Sequence, residues 1–150
     1  MEQPEPELVG DLDLSVGYVV KRVHAELRAA MDESLRPLEL TVPQYACLEL
    51  LGQHPGLSNS ELARRAFVTR QSMNLVVRRL QDRGLLTRPD AAPHGRALPT
   101  ELTEDGRTTL RAASAAARAA EKELFSPLSE ERQRRLRQDL AACLASPAAT

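Results

Sequence analysis

Two helix starts written in the same grammar, one closely following the other, constrain this chain more than any other feature. In Leu57-Ser58-Asn59-Ser60-Glu61-Leu62, Ser58 is placed to cap a helix, Glu61 to complete a capping box, and Leu57 to staple against Leu62. That helix ends near Ala66, and Thr69 caps a second one almost at once. In the second, Met73, Val76, Val77 and Leu80 recur at helical spacing, and Gly84 stands at the C′ position, where a left-handed residue stops a helix. A short helix followed by a longer, basic one is a helix-turn-helix pattern.

The flanks extend the pattern. Upstream, Leu12, Val16, Val19, Val20, Val23, Leu27, Met31 and Leu35 predict one long amphipathic helix that Pro37 stops. Leu40-Thr41-Val42-Pro43-Gln44-Tyr45 repeats the cap-and-staple grammar and predicts a helix to about Gln53, ended by His54-Pro55-Gly56. Downstream, residues 85–88 read as a strand, 89–95 as a loop, and 96–102 as a returning strand in which Pro99 has no N–H to donate. A hairpin directly behind the second helix of the pair is a wing. Thr103-Glu104-Asp105-Gly106 then opens a long helix with carboxylates at its positive end. Its Ala115-Ala116-Ala117 run permits close helix approach. Pro127 breaks this helix, and Ser129 starts a last one reaching about Leu144.

The fold class expected is mainly α with a small β wing. A tail occupies 1–11, a winged helix-turn-helix region 41–102, and helical segments at 12–40 and 103–145 would form a dimerisation region. An apolar share of 42% with 3% aromatics and no Trp means a core of Leu, Val and Ala, which suits helices. No apolar run approaches the ~20 residues of a membrane span. The acidic, Pro-containing start is the opposite of a secretory leader, so a cytoplasmic protein without membrane association is expected. Cys47 and Cys143 read as small core residues in a reducing compartment. With the scattered His24, His54 and His94 they give no ligand spacing, and neither metal nor cofactor is expected. The sequence also lacks a Gly-rich phosphate loop and a nucleophile–base set, which argues against an enzyme.

The net charge of −1 conceals an asymmetry. Within residues 62–96 the eight arginines Arg64, Arg65, Arg70, Arg78, Arg79, Arg83, Arg88 and Arg96 face only Asp82 and Asp90, a balance of +6 that leaves −7 elsewhere. A basic patch on an acidic body is the footprint of a surface that binds a polyanion.

Three motifs fall in one order: Leu-Ser-x-x-Glu-Leu-Ala at 57–63, Leu-x-x-Arg-Gly-Leu at 80–85 and Leu-Thr-x-x-Gly at 102–106. With the order of elements, they resemble the MarR family of winged-helix regulators over roughly residues 12–145. The resemblance implies a homodimeric, sequence-specific DNA-binding regulator, commonly a repressor released by a small aromatic or phenolic ligand. The chain departs from the family at the wing. Where relatives carry an acidic residue ahead of the tip arginine, it has Pro93-His94-Gly95-Arg96.

Roles for individual residues follow. Off the buried stripe, near the start of the second helix of the pair, stand Arg70, Gln71 and Asn74, with Arg78 a turn further. Arg pairs with guanine, and Gln or Asn with adenine, in the major groove. Ser58, Arg64, Arg65, Thr69, Arg79 and Arg83 suit backbone phosphates, and Arg96 a narrow minor groove. Val16, Val19, Val20 and Val23, with Leu136, Leu140 and Leu144, exceed what a small winged domain can cover. They are the expected dimer interface, and a two-fold dimer demands a pseudo-palindromic site on double-stranded DNA. The resemblance places an effector crevice where the first, second and fifth helices meet. There Tyr18, Arg22, His24, Arg28 and Tyr45 would receive an aromatic acid. Two alternatives stay open: a thiol-redox trigger, although Cys47 has no cation nearby in sequence to favour its thiolate, and a winged-helix protein-interaction module without DNA.

Overall fold

Each helix begins where a side-chain oxygen takes over a first-turn N–H. In the computed structural model, which describes residues 10–87 and 100–144, Ser15 caps α1 (Val16–Leu35) and Thr41 caps α2 (Val42–Gln53). Ser58 caps α3 (Asn59–Arg65), Thr69 caps α4 (Arg70–Asp82) and Thr103 caps α5 (Glu104–Leu124). α6 (Glu130–Leu144) starts the same way, the Ser129 hydroxyl accepting from the Arg132 N–H at 3.2 Å. Each such cap contributes about 1 kcal/mol.

The box at α2 is complete: the Gln44 N–H donates to Thr41 Oγ1 at 3.3 Å, and the Thr41 N–H to Gln44 Oε1 at 3.0 Å. At α3, among the described residues, only the Ser58 half of the expected box forms, with Glu61 exposed to water. The long helix expected from Leu12 is divided. Asp11 caps a 3-10 turn at Leu12–Leu14, and Ser15 restarts the chain as α1. Both short polar side chains offer the backbone a local alternative to a continuous helix. At its other end α1 passes into a 3-10 turn at Arg36–Leu38 that contains Pro37.

The core is built of leucine, as the scarcity of aromatics required. Leu35 of α1, Leu48 of α2, Leu62 of α3, and Met73, Val77 and Leu80 of α4 are almost wholly buried. Each contributes roughly 1.5–3 kcal/mol. α5 packs along α1 and against α2, burying Ala113, Ala117 and Ala120. Of the three consecutive alanines only Ala117 is fully buried, because burial follows the helical repeat. β1 (Leu86–Thr87) and β2 (Glu101–Leu102) pair antiparallel, with Leu86 opposite Leu102 and Thr87 opposite Glu101. They form the base of the wing; Arg88, Arg96 and Pro99 lie outside the described residues. Among the described residues no helix is long and apolar enough to cross a membrane.

α4 ends in a Schellman turn at Gly84 (φ +74). The Gly84 N–H donates to the Gln81 carbonyl and the Leu85 N–H to the Leu80 carbonyl, both at 2.9 Å. Thr103 ties α5 to this turn. Its hydroxyl donates to the Gly84 carbonyl at 2.7 Å and accepts from the Gly106 N–H at 2.9 Å, while its own N–H donates to the Leu85 carbonyl at 3.0 Å. A Cβ at position 106 would collide with the Leu85 carbonyl oxygen. The Leu-Thr-x-x-Gly motif is thus a joint that fixes α5 and the wing base to the end of α4.

Candidate nucleic-acid interface

Because Met73, Val77 and Leu80 turn one side of α4 into the core, the helical repeat presents the opposite side outward. Gln71, Asn74, Leu75 and Arg78 lie there, with Arg70 at the helix start and Arg79 on the flank, all exposed. Arg64 and Arg65 are exposed at the end of α3. The structure therefore brings the expected base-reading residues onto one surface with the expected phosphate partners beside them. Leu75, 49% exposed, shares that face. With no hydrogen-bonding group, Leu75 does not stand out in the sequence; its position one turn beyond Gln71 is the signal that places it there.

Asn59, in the first turn of α3, donates its side-chain amide to Asn74 Oδ1 at 2.9 Å. A bidentate pair with adenine uses both the carbonyl and the NH2 of an asparagine. Asn74 is exposed, and this bond engages its carbonyl within the protein while its NH2 remains a donor. The Thr69 hydroxyl is engaged too, accepting from the Ser72 N–H at 3.0 Å and donating to Ser72 Oγ at 2.9 Å. A phosphate arriving at this end of α4 would meet first-turn N–H groups rather than that hydroxyl. Ser58 Oγ accepts from the Glu61 N–H at 3.2 Å and keeps its proton for donation.

Arg83, expected among the phosphate partners, has a structural engagement. Its guanidinium donates to the Glu39 carbonyl at 2.7 Å and to the Leu38 carbonyl at 3.2 Å. As the C-cap residue of α4 it clamps the α1–α2 connector, where Glu39 adopts a left-handed conformation (φ +55).

The five effector candidates are placed less coherently. Arg22 lies 3.5 Å from Asp13, and Arg28 lies 3.8 Å from Asp32. The helical repeat sets Tyr18 and Arg22 on a different side of α1 from His24 and Arg28. Tyr45 is half-buried on α2; burial first, then the Glu49 carboxylate, pushes its phenol above the ordinary value. A cavity of about 350 Å³ lies at the junction of α2, β2 and α5, lined by Leu51, Gly52, Leu102, Leu110, Arg107 and Arg111 among others. None of the five candidates lines it.

The two cysteines part company. Cys47 is wholly buried, and burial pushes its thiol up to about 12, away from thiolate chemistry. Cys143, expected in the core, is exposed, since no residue of α6 is fully buried.

Apolar stripes remain uncovered on α1 and α6. Val16, Val19, Val20 and Val23 are 77%, 42%, 45% and 37% exposed. They continue a stripe whose other half (Leu27, Met31, Leu35) is at least partly covered. On α6, Leu136, Leu140 and Leu144 follow at four-residue steps and border, with Phe125, an open groove of about 830 Å³. Leu140 and Leu144 are exposed and Leu136 is half-buried.

A capped α3, an outward-facing α4 and a strand pair behind it define a winged helix-turn-helix protein with a basic reading surface. Residues 38–97 match the MarR family. The chain is 44% identical over 128 residues to the HTH-type transcriptional repressor Rv2887 of Mycobacterium tuberculosis, covering 85% of this chain and 92% of that one. It therefore belongs to the MarR family of transcriptional regulators. Two solved structures of Rv2887 are similar at 42% identity and a TM-score of 0.76. One is a complex with DNA, covering 89% of this chain and 100% of that one. The other is a complex with salicylic acid, covering 91% and 99%.

Proposed function

We propose that the protein is a homodimeric, non-enzymatic repressor of the cytoplasm that holds a pseudo-palindromic operator and releases it to a small aromatic acid. The outward face of α4 carries the reading: Arg70, Gln71, Asn74 and Arg78 are exposed together on a helix anchored from behind by Met73, Val77 and Leu80. In this division of labour residues 41–102 read DNA and residues 12–40 and 103–145 join two copies. Arg64, Arg65, Arg79, Ser58 and the start of α4 behind Thr69 take phosphates, and Arg96 reaches the minor groove. The uncovered valines of α1 and leucines of α6 support the second copy, because apolar stripes of this extent favour burial. A selection of bound duplexes from a random pool tests the reading. Enrichment of a two-fold symmetric sequence is expected; no enrichment would refute it.

The Rv2887–salicylic acid complex supports an aromatic carboxylate as effector. Two placements compete within this chain: the α1 set with Tyr45, and the cavity holding Arg107 and Arg111. The cavity is favoured because the guanidiniums of Arg107, which donates to the Leu102 carbonyl at 3.2 Å, and Arg111 outnumber its one carboxylate, Glu101, beside apolar Leu51, Leu102 and Leu110. A ligand there lowers operator affinity if it prefers a spacing of the two reading heads that misfits DNA. Salicylate titrated against the operator complex of Arg22→Ala and of Arg111→Ala separates the placements. The variant that loses release while keeping DNA affinity marks the site.

A further inference from the structure

Phe67 sits in the turn between α3 and α4 in the left-handed region, at φ +58, which side chains other than glycine seldom enter. The conformation is well held. The Phe67 N–H donates to the Arg64 carbonyl at 3.4 Å, the Val68 N–H donates to the Ala63 carbonyl at 3.1 Å, and Val68 packs against the core. The residue is 95% exposed, more than any other large apolar residue among the described ones. A phenyl group is thus fixed at its base, strained, and outside the packing of the described residues.

Its surroundings indicate what covers it. Phe67 stands two residues before the cap of α4, with exposed Arg64 and Arg65 before it and exposed Arg70 and Gln71 after it. Exposed arginines on both sides of it in sequence fit a polyanion. Within the major groove, the apolar feature that bases offer is the thymine 5-methyl group. Resting on the DNA-reading role proposed above, we infer that Phe67 is a specificity-determining DNA contact, its ring packed on a thymine methyl beside the bases reached by Arg70 and Gln71.

The test uses the duplex that wild-type protein selects from a random pool, with each thymine replaced in turn by uracil, which deletes only the methyl group. Binding is measured by fluorescence anisotropy for wild type and for Phe67→Gly, a change that relieves the left-handed strain and so preserves the fold. Phe67→Gly is expected to melt no lower than wild type yet bind the operator about tenfold more weakly. One thymine-to-uracil change should weaken wild type about fourfold and leave Phe67→Gly unaffected. Equal affinity of the two proteins, or uracil effects that are the same in both, would overturn the contact. Altered sedimentation of Phe67→Gly with unaltered operator binding would overturn it too, assigning the ring to a second copy instead. If the pool yields no enriched duplex, the DNA-reading role fails first and this inference falls with it.

Discussion

Asn59 and Asn74 join the two helices of the reading unit through one hydrogen bond of 2.9 Å, side chain to side chain, on the exposed side of the molecule. On the reading role proposed for Asn74, Asn59 would act on DNA through it, by orienting its amide. Asn74→Ala is expected to weaken operator binding about tenfold and Asn59→Ala about threefold. The double variant should be no weaker than Asn74→Ala alone, the signature of two residues acting as one unit. Anisotropy titrations of the four proteins measure this, and additive losses would give Asn59 a contact of its own.

Arg83 holds the α1–α2 connector, Arg79 is proposed to meet a phosphate, and salt separates the two roles. Removing a phosphate contact lowers the slope of log affinity against log salt by about 0.9. Arg79→Ala should show that decrease with little change in folding. Arg83→Ala should keep the wild-type slope and lose about 1 kcal/mol of stability in urea, because two connector carbonyls lose their donor. A reduced slope for Arg83→Ala would return it to the DNA.

Local rules carried most of the fold. Thr41, Ser58, Thr69 and Ser129 could be read as caps because a cap is satisfied within its own first turn, and the stripe Met73–Val77–Leu80 needs only the helical period. What escaped the sequence depends on distance along the chain. Asn59 meets Asn74, and Arg83 meets Leu38 and Glu39, only after helices have packed, and no spacing rule links those positions. Cys143 was misplaced for a related reason: residue type suggests burial, but α6 has no fully buried position to offer. The split at Ser15 was local, yet apolar periodicity continued through Leu12 and masked it.

Gly106 is a further local motif with a non-local cause. Gly106→Ala forces a methyl group against the Leu85 carbonyl oxygen and pries α5 from the end of α4. A loss of about 2 kcal/mol is expected. Urea denaturation would measure it, and a neutral Gly106→Ala would mean that the joint yields without cost.

Cys47 gives a prediction in pH. Its thiol is pushed up from 9.0 to about 12 by burial, so the folded state favours the protonated form more than the unfolded state does. That stabilisation is fully present below the unfolded value and is lost as pH rises from 9.0 through about 12. Near neutral pH a thiol-alkylating reagent should modify Cys143 quickly and Cys47 only after denaturation. Peroxide should leave operator binding of Cys143→Ser unchanged; a loss of binding reversed by reductant would establish Cys47 as a redox trigger after all.

Val20 and Leu140 test the proposed seam between two copies. Both are partly exposed in the single subunit, at 45% and 43%, so a charge there costs the isolated fold little. In a dimer seam the same charge would be buried without a partner, at a cost of several kcal/mol. Val20→Arg and Leu140→Arg should sediment as monomers at concentrations where wild type is a dimer, with helix content unchanged by circular dichroism. A monomer engages one half-site at a time, so operator affinity should fall about a hundredfold or more. Single half-site binding should stay as weak as that of wild type. Dimers that persist in both variants would move the interface off these faces, and a monomer holding the full operator with wild-type affinity would remove the need for a second copy.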